Sequence, residues 1–194
     1  MKFDKVYVDE NIFYIEDFID KESILILQNE IKKQSLKVEE NKGLYHDVLS
    51  LNTDQARLVW DKITINLNDL FTNNEEHLHN FHESPIFIKY VNREAKSTGW
   101  AMYPHADDNE YESQDDPKTF YSPVLKGIVI YITDDYEGGE IVYINKDIKI
   151  KPKSGYLVCH PASEDYTHGV KSFSGGPRII VSAFVKGNLS CHCP

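Results

Sequence analysis

Ile128-Val129-Ile130-Tyr131-Ile132-Thr133 and, nearer the end of the chain, Arg178-Ile179-Ile180-Val181-Ser182-Ala183-Phe184-Val185 are apolar on both of their alternating faces. Side chains along a strand alternate sides, so a strand apolar on both must be covered on both. Between and before these runs lie further short β-branched and aromatic segments separated by Gly, Pro, Asn and Asp: 86–91, 99–103, 140–144, 147–151, 156–159 and 166–170. Eight such segments, counted with the extended runs 124–133 and 178–185, match the strand number of a two-sheet jelly roll. Upstream the texture differs. Residues 5–20 read as extended, and Asp20 is a candidate cap for a helix from Lys21 to about Lys33, with Ile24, Leu25, Leu27 and Ile31 at helical spacing. A second helix is expected from Thr53, carrying Ala56, Val59, Trp60, Ile63, Ile65, Leu67 and Leu70, so the part up to about residue 83 reads as mainly helical. No internal repeat or low-complexity linker is present. The expected class is α+β, mainly β, with the helices bracing one sheet of the same domain.

A chain of 194 residues suits one domain with a sizeable core. Its 21 Lys and Arg against 31 Asp and Glu give a formal charge of −10, which argues against tracking nucleic-acid phosphates over a broad surface. No apolar run approaches the roughly 20 residues that span a bilayer, and Met1-Lys2-Phe3-Asp4 does not open a secretory signal. Three unevenly placed cysteines, Cys159, Cys191 and Cys193, do not form a disulfide framework. A cytoplasmic protein with reduced thiols and no membrane partner is expected. No oligomeric state is specified.

His105-Ala106-Asp107 sets an imidazole and a carboxylate two residues apart at a strand end, where a period of two turns both to one face. Alone, the same pattern describes a solvated turn. Asp165-Tyr166-Thr167-His168-Gly169-Val170 places His168 on a late strand that a closed jelly roll can return beside His105. Two histidines and one carboxylate on one face of a metal form the facial triad of non-haem iron, which leaves positions open for a chelating co-substrate and dioxygen. The plainer alternative for His168 is a core histidine bonded to a backbone carbonyl. Arg178 opens a strand apolar on both sides, and a buried guanidinium needs an anion; its planar fork suits a carboxylate held bidentately. Either a ligand or an acidic side chain of another strand could supply one. Tyr131, in the other doubly apolar strand, has a hydroxyl that needs a partner and could help hold the same carboxylate, or could bond to backbone in the core.

Together these residues resemble the Fe(II)/2-oxoglutarate oxygenase superfamily, and within it the prolyl 4-hydroxylase-like branch. The resemblance runs over about residues 86 to 185. It consists of His105-Ala106-Asp107, the strand Ile128 to Thr133 followed by Asp134-Asp135-Tyr136-Glu137-Gly138-Gly139-Glu140, the strand Gly155-Tyr156-Leu157-Val158, His168, and Arg178 ten residues on. It implies a double-stranded β-helix, a distorted jelly roll, at 85–185, with supporting N-terminal helices within 1–84 and a tail at 186–194, all one oxygenase domain of 1–194. It implies that His105, Asp107 and His168 bind Fe(II) and are catalytic, that Arg178 and Tyr131 hold the distal carboxylate of 2-oxoglutarate, and that Tyr90 lies near that co-substrate. Tyr166 and Tyr103 are the implied substrate-site aromatics. The implied reaction hydroxylates an unactivated C–H bond with dioxygen, releasing succinate and carbon dioxide, with ascorbate as a candidate reductant. A peptidyl proline is one candidate substrate and a small molecule another. The chain departs from prolyl 4-hydroxylases in having Met102 three residues before the first histidine, with tyrosine shifted to Tyr103; it has Val124 where they carry Arg, and Arg178 where collagen-type enzymes often carry Lys.

The stretch 107–116 holds six acids and no base. It is expected to be a lid favouring a cationic peptide or basic small molecule, or else a solvated loop. His77, His79 and His82 match no closed zinc spacing, and Cys191-His192-Cys193 offers too few donors to close one alone. His46 and His160 have no assignable partner. The competing classes are a non-redox, cupin-like sugar-binding or isomerase jelly roll, and a purely structural β-sandwich. A dicarboxylate clamp from Arg178 and Tyr131 separates the oxygenase from both.

Overall fold

A computed structural model describes residues 3–34, 46–72, 76–79, 86–90, 99–108 and 124–187. In chain order the elements are β1 (Lys5–Tyr7), β2 (Phe13–Ile15), α1 (Lys21–Gln34), β3 (His46–Ser50), α2 (Asp54–Phe71), β4 (Glu76–His79), β5 (Ile86–Tyr90), β6 (Trp100–His105) and β7 (Val124–Tyr131). They continue with β8 (Tyr136–Gly138), β9 (Ile141–Tyr143), β10 (Ile148–Ile150), β11 (Leu157–Pro161), β12 (His168–Lys171), β13 (Phe173–Gly175) and β14 (Arg178–Gly187).

Among the described residues the larger sheet has eight strands in the order β1-β2-β11-β7-β14-β5-β3, with β4 pairing β14 beyond β5. The facing sheet runs β10-β9-β12-β6, and β8 and β13 form a two-stranded ribbon. All the pairings are antiparallel. This is the double-stranded β-helix, mainly β with two helices outside the larger sheet.

The doubly apolar strands are sandwiched as their sequences require. Ile128, Ile130, Ile132, Leu157, Cys159, Ile179, Val181, Ala183 and Val185 pack with α1 and α2. The alternate positions Tyr131, Val158 and Ile180 turn inward, against Ile12, Ile141, Tyr143 and Ile150. Helix α2 supplies Ala56, Val59, Trp60, Ile63, Leu67 and Phe71, the i, i+3, i+4 stripe of a helix lying on a flat surface. Each large side chain in that stripe contributes roughly 1.5–3 kcal/mol of burial against the ordering cost. Leu25 and Ile65, read with the apolar stripes, are exposed.

Thr53 caps α2 by accepting the amide of Ala56, and Asp20 caps α1 by accepting both the amide (2.9 Å) and the hydroxyl (3.0 Å) of Ser23. Asp20 also accepts Lys62 Nζ from α2, tying the helices together. The Lys62 bond first, and the Ser23 amide next, lower the Asp20 carboxyl to about 2. A carboxyl lowered on folding stabilises above its unfolded value of 3.8, and the contribution is lost as pH falls through about 2. Asp20 and Lys62 are each about half exposed, so solvent weakens the ion pair and the cap dominates. Asp20→Ala is expected to lose about 1 kcal/mol in denaturant unfolding at neutral pH, with the gap to wild type closing from pH 4 downward. A gap that stays constant to the lowest measurable pH would show that the carboxylate is not the source.

Two expectations need correction. The first half of the chain is not only helical: His46–Ser50 and Glu76–His79 are strands that extend the larger sheet by pairing with β5 and β14. Tyr166 lies not on a strand but in the 3-10 turn Glu164–Tyr166 preceding β12. Among the described residues no helix is long and apolar enough to cross a membrane. Of the acidic stretch, only Asp107 and Asp108 are described; residues 109–116 and the Cys191-His192-Cys193 tail lie outside the described residues, as do the side chains of His46, His77, His79 and His82.

Candidate metal and carboxylate site

Strand β12 returns antiparallel beside β6 and sets His168 directly opposite His105, with Tyr143 of β9 opposite His168 on the other side. An irregularity in the β12–β6 register follows His168. Gly169 permits it: a Cβ there would stand 2.9 Å from the Met102 carbonyl and 2.9 Å from the Trp100 ring. Asp107 reaches the pair from the turn just after β6, not from strand alternation. The Asp108 amide donates to the Ala162 carbonyl at 3.1 Å and pins that turn to the segment after β11.

One ligand atom from each of His105, Asp107 and His168 lies within 4.8 Å of the others. Asp107 Oδ1 is 3.6 Å from His105 Nε2 and 3.9 Å from His168 Nε2. Both rings are oriented alike. His105 Nδ1 donates to the Tyr103 carbonyl at 2.9 Å, and His168 Nδ1 donates to the Tyr166 carbonyl at 3.1 Å. A carbonyl only accepts, so Nδ1 carries a proton in each and Nε2 is the ring nitrogen turned toward Asp107. Burial first, and repulsion from His160 next, lower His168 to about 3 against a weaker pull from Asp107, so its ring is neutral and basic at Nε2. Burial pushes the Asp107 carboxyl up, but the His160 hydrogen bond and the surrounding imidazoles outweigh it and hold the group below the ordinary carboxylate range. A neutral His168, an ionised Asp107 and a second imidazole turned the same way make a donor set that suits a divalent iron.

Further along the same inner surface, Arg178 is buried at the start of β14 and donates from Nη2 to the Tyr131 hydroxyl at 3.4 Å. Thr133 fixes it there, accepting the Ile179 amide (2.9 Å) and donating to the Pro177 carbonyl (2.7 Å). Burial raises Tyr131, against the opposing Arg178 charge, so its hydroxyl stays protonated. Tyr136 is a group the sequence reading passed over. Its ring is buried, its hydroxyl makes no well-formed hydrogen bond, and Arg178 offsets part of the upward push of burial on it. Gly127 and Tyr131 lie four residues apart on one face of β7, roughly 13 Å along the strand, so the Arg178 end and the triad end lie on the same inner face of the larger sheet.

The remaining candidates fall as follows. Tyr90 pairs with Arg178 in the β5–β14 register. Tyr103 has an exposed side chain and contributes its carbonyl to His105. Tyr166 is buried between the sheets, its hydroxyl accepts from Asn11 at 2.8 Å, and its carbonyl orients His168. The structure thus places the Tyr166 ring in the core between the sheets and its carbonyl against His168.

His160, which has no assignable partner in the sequence, finds two in the structure. It is 1% exposed, donates from Nε2 to Asp107 Oδ2 at 3.0 Å, and has Nδ1 2.9 Å from the Tyr143 hydroxyl.

No protein-family model matches the chain. Prolyl 3-hydroxylase 2 of Rattus norvegicus and that of Homo sapiens are each 36% identical over 59 residues, 28% of this chain and only 8% of those much longer proteins. Among solved structures, the viral collagen prolyl hydroxylase of Paramecium Bursaria Chlorella virus-1 in its 2OG complex is 17% identical, with a TM-score of 0.63 over 91% of this chain and 96% of that one. A prolyl-4-hydroxylase from Pseudomonas putida is 15% identical with a TM-score of 0.53, covering 91% of this chain and 92% of that one. A 2OG-Fe(II) oxygenase family oxidoreductase from Burkholderia pseudomallei is 10% identical with a TM-score of 0.56, covering 91% and 84%. The chain therefore has the double-stranded β-helix fold of the 2-oxoglutarate and Fe(II) oxygenases.

Proposed function

We propose that this chain is one Fe(II)- and 2-oxoglutarate-dependent oxygenase domain, 1–194, that hydroxylates an unactivated C–H bond. The observation that carries this is the joint presence, inside one barrel, of a His-Asp-His group with both histidine Nε2 atoms facing Asp107 Oδ1 and a buried Arg178 beside two tyrosine hydroxyls. A non-redox metal-binding jelly roll has no use for the second feature.

In this reading His105, Asp107 and His168 hold iron, and Arg178 and Tyr131, with Tyr136 beside them, receive the distal carboxylate of 2-oxoglutarate. Bound iron with this co-substrate supplies the chemistry: 2-oxoglutarate, dioxygen and a C–H bond become succinate, carbon dioxide and a C–OH group. The protein's part is orientation. Backbone carbonyls fix both imidazoles, and Thr133 fixes the strand end bearing Arg178. Ascorbate is the expected reductant.

For substrate class we propose a peptide, with peptidyl proline as first candidate; the solved structures named as prolyl hydroxylases support it. The charge of −10 favours a basic peptide over nucleic acid. A cytoplasmic location fits the buried, free Cys159.

The test is anaerobic addition of Fe(II) and 2-oxoglutarate to the protein, followed by visible absorption. A weak charge-transfer band that needs both additions is expected, with succinate formed once oxygen is admitted. Folded protein that gives neither would return the chain to the non-redox reading.

A further inference from the structure

Asp107 uses its two oxygens differently. Oδ1 faces the two histidine Nε2 atoms, whereas Oδ2 faces His160 Nε2 at 3.0 Å. An ionised carboxylate only accepts, so His160 carries its proton on Nε2. The other ring nitrogen, Nδ1, lies within hydrogen-bond reach of the Tyr143 hydroxyl at 2.9 Å. All three groups are buried, Tyr143 completely.

The chain of bonds crosses the barrel. Tyr143 comes from the facing sheet, His160 from the larger sheet, and Asp107 from the turn after β6. It closes over Gly127, which β7 places opposite His160. A Cβ at Gly127 would stand 2.1 Å from Asp107 Oδ2 and 2.6 Å from His160 Nε2. The larger sheet lacks a side chain at the point where the carboxylate and the imidazole meet. The His160 ring centroid is also 4.2 Å from that of His168, so the relay packs against a ligand as well as bonding to one.

We propose that Tyr143 and His160 are positioning residues for the metal: they engage Oδ2 of Asp107, fix the carboxylate plane and leave Oδ1 as the coordinating atom. Without the His160 donor, Oδ2 becomes a buried acceptor with its hydrogen bond removed and the carboxylate is free to turn, so metal affinity falls. The inference rests on the triad binding a metal.

Anaerobic titration with Fe(II), and with Co(II) whose visible absorption reads coordination geometry, tests it without turnover. His160→Leu is expected to weaken metal binding by about 10- to 100-fold and to alter the Co(II) spectrum. Glutamine can set an amide nitrogen close to where Nε2 stands, so His160→Gln is expected to restore both. Tyr143→Phe, which removes one hydroxyl and keeps the packing, is expected to weaken binding by several-fold. At saturating metal, the 2-oxoglutarate needed to saturate the charge-transfer band should be the same in all variants, because Arg178 and Tyr131 are untouched. Wild-type affinity in both His160→Leu and Tyr143→Phe would overturn the relay alone. Equal loss in His160→Leu and His160→Gln, with one nitrogen ligand gone from the Co(II) centre, would overturn positioning in favour of ligation. A wild-type protein that binds no metal would remove the oxygenase reading and the relay with it.

Discussion

Asp107→Ala and His168→Ala are each expected to lower Fe(II) affinity by more than the roughly 100-fold that changes in surrounding residues reach, and to take succinate formation below detection. The two losses have different origins. His168 is the buried neutral donor, lowered to about 3 by burial, and its removal deletes one of two imidazoles whose Nε2 atoms face Asp107 Oδ1. Asp107 is the negative charge of the group and the one side chain that both imidazoles face. Its loss removes the carboxylate charge that would balance a divalent ion in this buried setting. It also deprives His160 of its acceptor, and a buried donor left without a partner costs about 1–3 kcal/mol. Asp107→Ala should therefore lower the stability of the metal-free protein as well, while His168→Ala leaves the Asp107–His160 bond in place. Metal titration with thermal or denaturant unfolding of both variants separates the effects. Unchanged iron affinity in a folded Asp107→Ala protein would remove the triad.

The residues that determine the barrel carry their signal locally. The strands β7 and β14 are apolar on both faces because helices cover one side and the facing sheet the other, and that pattern is readable without coordinates. The helix caps Asp20 and Thr53 are local chemistry of the same kind. The strands that escaped reading draw their stability from elsewhere. Glu76–His79 is polar and joins an edge of β14, and His46–Ser50 adds to β5; pairing with a finished sheet makes these strands, not their own propensity. Tyr136–Gly138 and Phe173–Gly175 are three-residue strands held by each other.

The site divides along the same line. His105, Asp107, His168 and Arg178 stand out because polar or charged groups at strand ends and in apolar strands demand a reason. His160 sits in Leu157–Pro161 and Tyr143 in Ile141–Tyr143, where each passes for ordinary core. Their roles arise from a contact across the barrel over Gly127, and no spacing along the chain encodes that distance. A trace was present even so. Val158 and His160 share the inner face of β11, and a glycine in the middle of a buried strand marks a close approach by something else.

Arg178→Ala is expected to raise the 2-oxoglutarate requirement by about 30- to 4000-fold, the range of truncating one partner of a buried charge pair, while Fe(II) affinity stays near wild type. The separation follows from geometry. Arg178 and Tyr131 form one end of the inner surface and the triad the other, about four residues apart along β7. Arg178→Lys keeps the charge but loses the planar fork and should fall between the two. Tyr131→Phe removes one neutral hydrogen bond and should cost about 5- to 10-fold, near 1–1.5 kcal/mol. Stability measurements distinguish a ligand clamp from a structural ion pair. If Arg178 served a salt bridge within the fold, Arg178→Ala would destabilise the metal-free protein by about 3–5 kcal/mol, and 2-oxoglutarate would be irrelevant to that loss. A residue placed to receive the co-substrate gives the opposite pattern. The iron-loaded wild type gains about 2.7 kcal/mol when anaerobic 2-oxoglutarate reaches 100 times its Kd, and Arg178→Ala gains less than about 1 kcal/mol at the same concentration. Equal stabilisation of both proteins would place the distal carboxylate somewhere other than Arg178.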